Sequence, residues 1–528
     1  MQDKRPATPE GWKAHWQEQD QPWRTEPEVD EERQQFLADR RATMPDPSKD
    51  IYPFRDESGS IRLTRADVEW LLATHSHDSV KGPVDWDDET QQRREGLDLR
   101  GADLSGVSLR RLPLSRLYGG LDPSEVADFQ PTYQLGAISN AALHLEGADL
   151  AGARLEASML VGVQLDQAIL VDTRLQGAYF LNASFQGAVM QGCHLEGCAL
   201  MAANLDHAVA PYAHLEGADL GNARLHQADL FNAHLEGAKL DKADLSGTRL
   251  TNAHLQGATL TGAHLEGASL NGSHLGGVEM SSEDLKRIHI SIPLFPAILP
   301  PANLQHCFLD RLTDLYAVDL GSSKYGFVSI ADAELENARL EVVTWDRVTV
   351  LGDERTAFAT TDRTQIGVRD ARFEQAIRAN RQLATALRTQ GLSGKAADHF
   401  AYHAKLCQRE LYRRQKLWAP WVVSSLGWLL AGYGYRLPRF VVIVYVGVLV
   451  LFTCIYWKLG VHSFHGESPL QAWWDSFLVS ISAIHGRTTF EQLGAWSYAA
   501  WFAGIESIVG IVIEAVFVAM LIQRFFAR

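Results

Sequence analysis

The chain has 528 residues, a formal net charge of -15 and five cysteines. Its length predicts more than one folding unit, and its acidity argues against binding nucleic acid or anionic lipid through bulk charge. The cysteines show neither a zinc spacing nor a disulfide framework, so reduced and mostly buried thiols are expected. The N-terminus lacks the apolar core of a secretory signal, which predicts that the segments following it stay in the cytosol.

Residues 1–95 are predicted to form a polar N-terminal arm and a capping region. The first 50 residues are polar and contain several prolines, a composition typical of an exposed arm with one docking helix. In residues 61–75, apolar side chains recur at helical spacing behind Thr64 and Asp67. This pattern predicts a short amphipathic helix that caps the structure after it.

An apolar residue recurs at every fifth position from Leu145 to Met280, with Ala210 as the smallest member. A small residue such as Ala148 or Ala218 stands two positions before each of them. This period belongs to neither a helix nor a strand and is typical of a stacked solenoid. A longer block recurs every twenty residues, which predicts coils with four five-residue sides. It begins at His194, His214, His234, His254 and His274.

The repeats are predicted over residues 96–285, with an insertion at about 115–140. A first coil uses Leu99, Leu104 and Leu109. Residues 286–360 hold a proline-rich excursion, after which the repeats resume. The resumed inward positions are predicted at Leu315, Leu320, Ile330, Leu335, Leu340 and Val350.

The units GADLS, GADLA, GADLG and KADLS resemble the A(D/N)LXX pattern of the pentapeptide-repeat family. This resemblance implies a right-handed quadrilateral β-helix, here followed by helical segments, so the fold class is mixed. Some members of the family are DNA mimics that bind topoisomerases. The net acidity of residues 141–285 is compatible with that function.

Residues 361–417 are predicted to form an α-helical hairpin linker, because apolar residues recur at helical spacing on both sides of Gly391 and Gly394. Residues 418–528 are predicted to hold an interfacial segment and two transmembrane helices. The first span, residues 440–457, is uncharged and long enough to cross a core of about 30 Å. The second, residues 496–522, is apolar except for Glu506 and Glu514.

Basic residues flank these two spans but are scarce between them, so both termini are expected in the cytosol. The predicted location is therefore the cell inner (plasma) membrane, crossed more than once. Between the spans, residues 469–483 form an amphipathic stretch too short to cross. A polar segment follows it: Ile484, His485, Gly486, Arg487, Thr488 and Thr489.

This order of segments resembles the pore-loop channels. The last span resembles the inner helix of the two-transmembrane channel domains attached to some bacterial pentapeptide-repeat proteins. The resemblance implies a re-entrant pore helix, a pore loop over residues 484–489 and a homotetramer. The potassium filter TVGYG is replaced here by AIHGR, so potassium selectivity is not carried over.

Glu506, Gly510 and Glu514 lie at i, i+4 and i+8 and are predicted to form a polar stripe on the inner helix. An unpaired charge at the bilayer centre costs at least about 2.5 kcal/mol. An oligomer that turns the stripe toward a central aqueous path avoids this cost. The alternative is that one of the glutamates forms a hydrogen bond or salt bridge between helices.

The column of His194, His214, His234, His254 and His274 is predicted to stack on one outer face of the coils, beside Glu196, Glu216 and Glu236. Such a ladder could sense protons or a divalent metal. Repeat duplication with a solvated polar face explains the same pattern. No dedicated metal site and no cofactor are predicted, and no catalytic set of residues indicates an enzyme.

Together these features predict an oligomeric pore-loop ion channel of the bacterial inner membrane. Its cytosolic repeat rod would regulate it or bind a cytosolic protein partner. Membrane lipid and further copies of the chain are the other expected partners, nucleic acid is not expected, and the permeant ion stays open. The alternatives are a non-conducting, membrane-anchored scaffold or sensor and, from the family resemblance, a topoisomerase-binding DNA mimic.

Overall fold

The computed structural model divides the chain into two compact units, residues 1–361 and 362–528. The residues that it leaves undescribed are 1–5, 7, 78, 128–130, 282–284, 286–287, 289–291, 293–295, 311–312, 314, 325, 336–337, 360–365, 393, 432–440, 461–468, 487–497 and 526–528.

The N-terminal region is folded rather than an exposed arm with a single helix. It contains helices α1 (Pro9–Glu18), α2 (Glu31–Arg41) and α3 (Arg65–Thr74). The carboxylate of Glu69 is fully buried and accepts hydrogen bonds from the backbone N–H groups of Thr25 and Glu26, both at 2.9 Å. A buried carboxylate needs such donors. This single side chain therefore ties the segment after α1 to α3.

Helix α3 confirms the short helix predicted within residues 61–75. The Thr64 side chain and backbone form a reciprocal capping box with Asp67, as the sequence order of the two residues indicates. Strand β1 (Arg55–Asp56) pairs antiparallel with β2 (Gly59–Arg62), and β2 pairs parallel with β5 (Ala102–Asp103). The region thus adds a strand to the first coil and covers its end. Strands β3 (Ser76–His77) and β4 (Val80–Lys81) form a small antiparallel pair.

The rod is built from single-residue bridges between successive coils. His194 bridges His214, and Ala199 bridges Asp219. Parallel bridges also start from Asn204 and Val209, five and ten residues further along, and every partner is twenty residues away. Four bridges per twenty residues confirm four sides per coil. The predicted inward residues from Leu145 to Leu275 are buried, and Leu235 has no exposed surface, whereas Met280, the last of the predicted set, is only partly buried.

The corners of the coils require left-handed backbone. At Gly237 φ is 67°, and at Asn222, three five-residue sides earlier, φ is 56°. Glycine adopts this region without steric cost, and asparagine tolerates it better than most residues. The repeat therefore accepts either residue at its corner.

The first coil extends further than predicted. Pro113 bridges Arg154, Tyr118 bridges Met159, and Leu121 is still buried. The insertion begins after Leu121 instead of at about 115, and it contains helices α4 (Pro123–Ala127) and α5 (Pro131–Ala141). The inward spacing continues at Leu114, but Leu112 and Leu117 stand where the repeat has a small residue, which made this boundary hard to place from sequence.

The coil after the excursion resumes earlier than predicted and in another phase. Strand β6 (Val278–Glu279) pairs antiparallel with β7 (Ile298–Leu299). The backbone N–H of Leu260 then donates to the carbonyl of Asn303, and Leu304 and Leu309 occupy inward positions. The excursion adds a number of residues that is not a multiple of five, so the phase changes across it.

Several residues predicted to resume the register are nevertheless buried. They are Leu315, Ile330, Leu335 and Leu340, whereas Leu320 and Val350 are only half-buried. The first unit ends with strands β8 (Gly321–Ser322) and β9 (Gly326–Phe327), which pair antiparallel, and helix α6 (Gly352–Ala359).

The second unit is helical. Helices α7 (Ile366–Thr389) and α8 (Gly394–Arg414) form the predicted hairpin around buried Phe373 and Phe400. They are followed by α9 (Trp418–Ala431), a π-helical turn (Val441–Val446), α10 (Gly447–Lys458), α11 (Pro469–Ile484) and α12 (Tyr498–Phe525). Among the described residues, the segment Tyr498–Ala515 is long and apolar enough to cross a membrane. The apolar helix Val444–Lys458 falls short of that length.

All five cysteines are free, and only Cys454 is exposed. Burial raises the pKa of Cys307 to about 12. The buried thiols of the rod therefore stay protonated and act as small apolar side chains.

Substitution Leu235→Asp should destabilise the rod by about 4 kcal/mol or more, because it buries an unpaired carboxylate. Thermal and denaturant unfolding of the full-length protein would measure the loss. Asn222→Asp adds the same charge at an exposed, left-handed corner and should change stability by no more than about 0.5 kcal/mol. Equal stability of the two variants would contradict the inward assignment of Leu235.

Candidate functional site

Helices α10, α11 and α12 form a three-helix module in which α11 contacts both α10 and α12. Its apolar centre is made by Leu449 of α10, Ile484 of α11 and Ile513 of α12. One residue from each helix meets there, so the three segments pack as a unit even though α11 is too short to span a membrane.

Glu506 joins all three helices through one carboxylate. It is fully buried, and the Tyr456 hydroxyl donates to its Oε2 at 2.7 Å while the Ser480 hydroxyl donates to its Oε1 at 2.5 Å. Tyr456 belongs to α10 and Ser480 to α11. Both carboxylate oxygens are thus satisfied within the chain, as a buried charged group requires.

Gly510 provides the close approach between α12 and the end of α11. A Cβ atom at this position would lie 1.9 Å from the carbonyl oxygen of Ile484. One turn earlier, the Ser507 hydroxyl donates to the carbonyl of Ala483 at 2.7 Å. The last carbonyls of α11, which have no partner within their own helix, are therefore covered by α12.

Glu506 and Gly510 therefore do not form an exposed stripe with Glu514. The first two lie against α11 of the same chain, whereas the side chain of Glu514 is 58% exposed. The arrangement of Glu506 matches the alternative hypothesis of a hydrogen bond between helices. Four-residue steps exceed the 3.6-residue helical turn, so the three positions drift around α12 and meet different surroundings.

The end of α11 places His485 near Glu514. The His485 Nδ1 lies 2.9 Å from the Ile481 carbonyl, which its N–H can reach, and its Nε2 lies 3.2 Å from the Tyr445 hydroxyl. The same Nε2 is 3.9 Å from Glu514 Oε1. Tyr445, His485 and Glu514 thus form a partly exposed polar cluster beside the end of α11.

Gly486 ends helix α11 with φ at 67°, and its N–H donates to the Ala483 carbonyl at 2.9 Å. This is the left-handed C-terminal residue that favours glycine. Of the predicted pore loop, Ile484 is buried and His485 and Gly486 are at the helix end. Arg487, Thr488 and Thr489 lie outside the described residues.

Helix α9 lies in the predicted interfacial segment and carries Trp418, Trp421 and Trp428. Trp418 is 68% exposed. The Arg409 guanidinium lies 4.5 Å from the centre of the Trp428 ring, and the Trp428 indole N–H donates to the Tyr402 hydroxyl at 3.0 Å. This side of α9 lines a cavity of about 420 Å³ together with Glu410 and Arg413.

The histidines of the rod stack as their spacing predicts. Ring centroids of His194, His214 and His234 follow one another at 4.8 and 4.9 Å, nearly parallel. The column continues to His254 at 4.8 Å and to His274 at 4.9 Å. Burial lowers the pKa of His254 below its ordinary value. The residues share one face, but a sensing function for them stays a prediction.

The glutamates beside this ladder are more buried than their sequence positions indicate. Glu196, Glu216 and Glu236 are 1%, 0% and 5% exposed. Each places Oε1 between 3.1 and 3.3 Å from the Nδ1 of the histidine two residues earlier. Sequence reasoning placed them beside the ladder but missed their burial. The signal was their position directly after the inward leucine, where the coil turns.

The family model described as pentapeptide repeats matches the chain in 8 copies. The matched segments are residues 143–177, 178–209, 198–237, 212–247 and 248–282. They identify this part of the chain as pentapeptide repeats. No curated protein matches the chain at a significant level.

Several solved structures resemble part of the chain. One is HetL of the cyanobacterium Nostoc sp. strain PCC 7120, a pentapeptide repeat protein involved in heterocyst differentiation regulation. It is 23% identical, covers 46% of this chain and 89% of its own, and has a TM-score of 0.18. QnrB1, a plasmid-mediated fluoroquinolone resistance protein, is 17% identical over 44% of this chain and 90% of its own, with a TM-score of 0.18. A thylakoid-lumen pentapeptide repeat protein of Arabidopsis thaliana is 25% identical, covers 20% of this chain and 77% of its own, and has a TM-score of 0.16.

Substitution Tyr456→Phe should lower the stability of the three-helix module by about 1 to 3 kcal/mol, because buried Glu506 loses one of its two donors. The thermal unfolding midpoint of the full-length protein would fall accordingly. Tyr445→Phe removes a hydroxyl from the partly exposed cluster and serves as the matched control, with a smaller expected change. A midpoint that falls equally in both variants would argue against a special contribution of the Glu506 contacts.

Proposed function

We propose that this chain, in which pentapeptide repeats occupy residues 143–282, is the subunit of an oligomeric pore-loop ion channel in the inner membrane. The rod would lie in the cytosol as its regulatory or partner-binding domain. The observation that carries the proposal is Glu514, a carboxylate that is 58% exposed on the apolar helix α12 beside the end of α11.

A lipid-facing position for Glu514 is energetically unfavourable. The residue lies slightly past the middle of Tyr498–Phe525, and an unpaired charge at the bilayer centre costs about 2.5 to 3.5 kcal/mol on insertion scales. His485 is 3.9 Å away and compensates this charge only when it is protonated. Contact with water or with another subunit removes the cost. An aqueous path between copies of the chain provides both.

The geometry of α11 supports a re-entrant segment. Its 16 residues give a helix of roughly 24 Å, shorter than a hydrocarbon core of roughly 30 Å. Gly486 ends it beside α12, so the chain leaves the helix next to Gly510 instead of on the far side. Non-helical backbone at membrane depth is tolerated where it is buried in protein or lines water. The end of α11 meets that condition through α12 and the polar cluster.

The outer surfaces of α10 and α12 are too apolar for contact with water. Exposed side chains include Leu451 at 57%, Trp501 and Ile508 at 65% each and Val512 at 56%. Soluble monomers rarely expose such contiguous apolar surface. Lipid and neighbouring subunits are the partners that would cover it, and four subunits are proposed from the channel resemblance.

The composition of helix α9 also supports a membrane location, with this helix at the cytosolic surface. Its exposed Trp418 and the Arg409–Trp428 contact combine an aromatic surface with positive charge, which is typical of a helix at the lipid headgroups. The hairpin α7–α8 connects the rod to this helix in sequence. A partner or ligand acting on the rod would have to act through these helices to reach the pore.

Substitution Glu514→Gln should lower the cation-over-anion permeability ratio by a factor of about two or more, because each subunit removes one negative charge from the aqueous path. Bilayer recordings with asymmetric salts would measure the ratio. Glu514→Asp keeps the charge and should retain most of the preference.

Only variants that remain oligomeric by size-exclusion chromatography are comparable. An unchanged permeability ratio in Glu514→Gln would remove Glu514 from the path. Stable oligomers that carry no current under changes of voltage, tension, pH or calcium would favour the membrane-anchored scaffold instead.

The proposed topology has its own test. Met44 is 83% exposed, so Met44→Cys gives an accessible label site in the first unit. In intact cells a membrane-impermeant thiol reagent should leave this cysteine unlabelled, and permeabilisation should expose it. Cys454 is the one exposed native thiol among the described residues, so its labelling would add background. Both samples therefore also carry Cys454→Ala. Labelling of intact cells would place the N-terminus outside the cytosol.

A further inference from the structure

The histidine ladder contains two groups with the composition of a metal site. One group is His214, Glu216 and His234, and the other is His234, Glu236 and His254. In each group the ligand atoms lie within 4.8 Å of one another. Among the residues that the structure describes, these are the groups of three that meet this distance.

The buried carboxylate of Glu236 requires compensation. Its Oε1 lies 3.3 Å from His234 Nδ1 and 3.7 Å from His254 Nδ1, and its Oε2 is buried without a hydrogen-bond partner. Glu216 occupies the same position one coil earlier and is fully buried. Two buried carboxylates about one strand spacing apart repel each other. A cation bound between the histidines and the carboxylate would offset both the burial and the repulsion.

Two imidazoles and one carboxylate are a ligand set that favours zinc. In a tetrahedral zinc site with bonds of about 2.0 to 2.2 Å, neighbouring ligand atoms lie about 3.3 to 3.6 Å apart. The distances from Glu236 to its two histidines are already close to this range. Rotation of the half-buried rings about their side-chain bonds would bring the two Nδ1 atoms together.

We propose that this face of the rod binds a divalent transition-metal ion of the zinc class, with Glu216 or Glu236 and the two adjacent histidines as ligands. The two groups share His234, so they hold one ion between them. The fourth position faces solvent and is open to water. This inference concerns the rod alone and does not depend on channel activity.

The chain contains natural controls for each part of this site. In the next coil the rings of His254 and His274 also lie 4.9 Å apart, tilted by 30°, but Gln256 stands where the carboxylate would be. On another side, the Nδ1 of His264 lies 3.1 Å from Glu266 Oε1, while the ring above it is Phe308 instead of a second histidine. One site lacks the carboxylate and the other lacks a histidine.

The test uses full-length, detergent-solubilised protein without an affinity tag, equilibrated with zinc chloride at a buffered free concentration. Metal content per chain is measured after removal of unbound zinc. The double variant Glu216→Gln/Glu236→Gln should lose one zinc per chain, or bind it roughly tenfold or more weakly. Glu266→Gln should retain the wild-type content. Thermal unfolding without zinc verifies that each variant is folded.

A gain of binding tests the geometry independently. Gln256→Glu creates a third group with His254 and His274. This group has no ligand in common with the first group, His214, Glu216 and His234, so both can hold an ion at the same time. This variant should therefore bind one more zinc than the wild type. Equal zinc content in the wild type and the folded double variant would overturn the proposal. So would a folded Gln256→Glu variant that gains none.

Discussion

The rod depends on one constraint, the narrow interior of a coil with twenty residues. Each side contributes one leucine-sized residue and one small residue to that interior, and the backbone of each side bridges the next coil. A polar side chain is accepted at the small position only where a backbone acceptor is in reach: the hydroxyls of Thr173 and Thr248 donate to the carbonyls of Leu150 at 2.9 Å and Leu225 at 2.7 Å. Because the interior admits so few residue types, the outer positions are left to vary. The histidine ladder lies on those outer positions.

This constraint also explains which parts of the rod could be predicted. The five-residue period is repeated in every coil, so the inward position of a residue such as Leu235 follows from its neighbours. Across an excursion the period carries no information, because a loop of any length can join two coils. The phase of Leu304 was therefore missed. The packing of the N-terminal segment onto the predicted capping helix was missed for a related reason, since Glu69 accepts hydrogen bonds from residues more than forty positions away.

In the three-helix module the helical period likewise predicted which residues lie near one another on a helix, but not what covers them. Spacing placed Glu506, Gly510 and Glu514 near one side of α12, but it could not show which neighbour covers that side. In the structure the three residues have different surroundings. Two hydroxyls donate to Glu506, a carbonyl lies close to Gly510, and Glu514 is exposed. A buried carboxylate that links three helices makes the short helix α11 part of the packed unit. The conduction proposal therefore rests on Glu514 alone instead of on a stripe of three residues.

The ladder raises the question of why a duplicated motif keeps a buried acid. Repeat duplication accounts for the histidines, which are half-exposed and cost little to retain. It does not account for Glu216 and Glu236, because each copy adds a carboxylate shielded from water to the same column. Gln256 shows that the position tolerates a neutral amide of nearly the same shape. If the acids contributed nothing, replacement by glutamine would relieve their repulsion. Their presence next to paired histidines therefore points to a function that needs the charge, and binding a divalent cation is such a function.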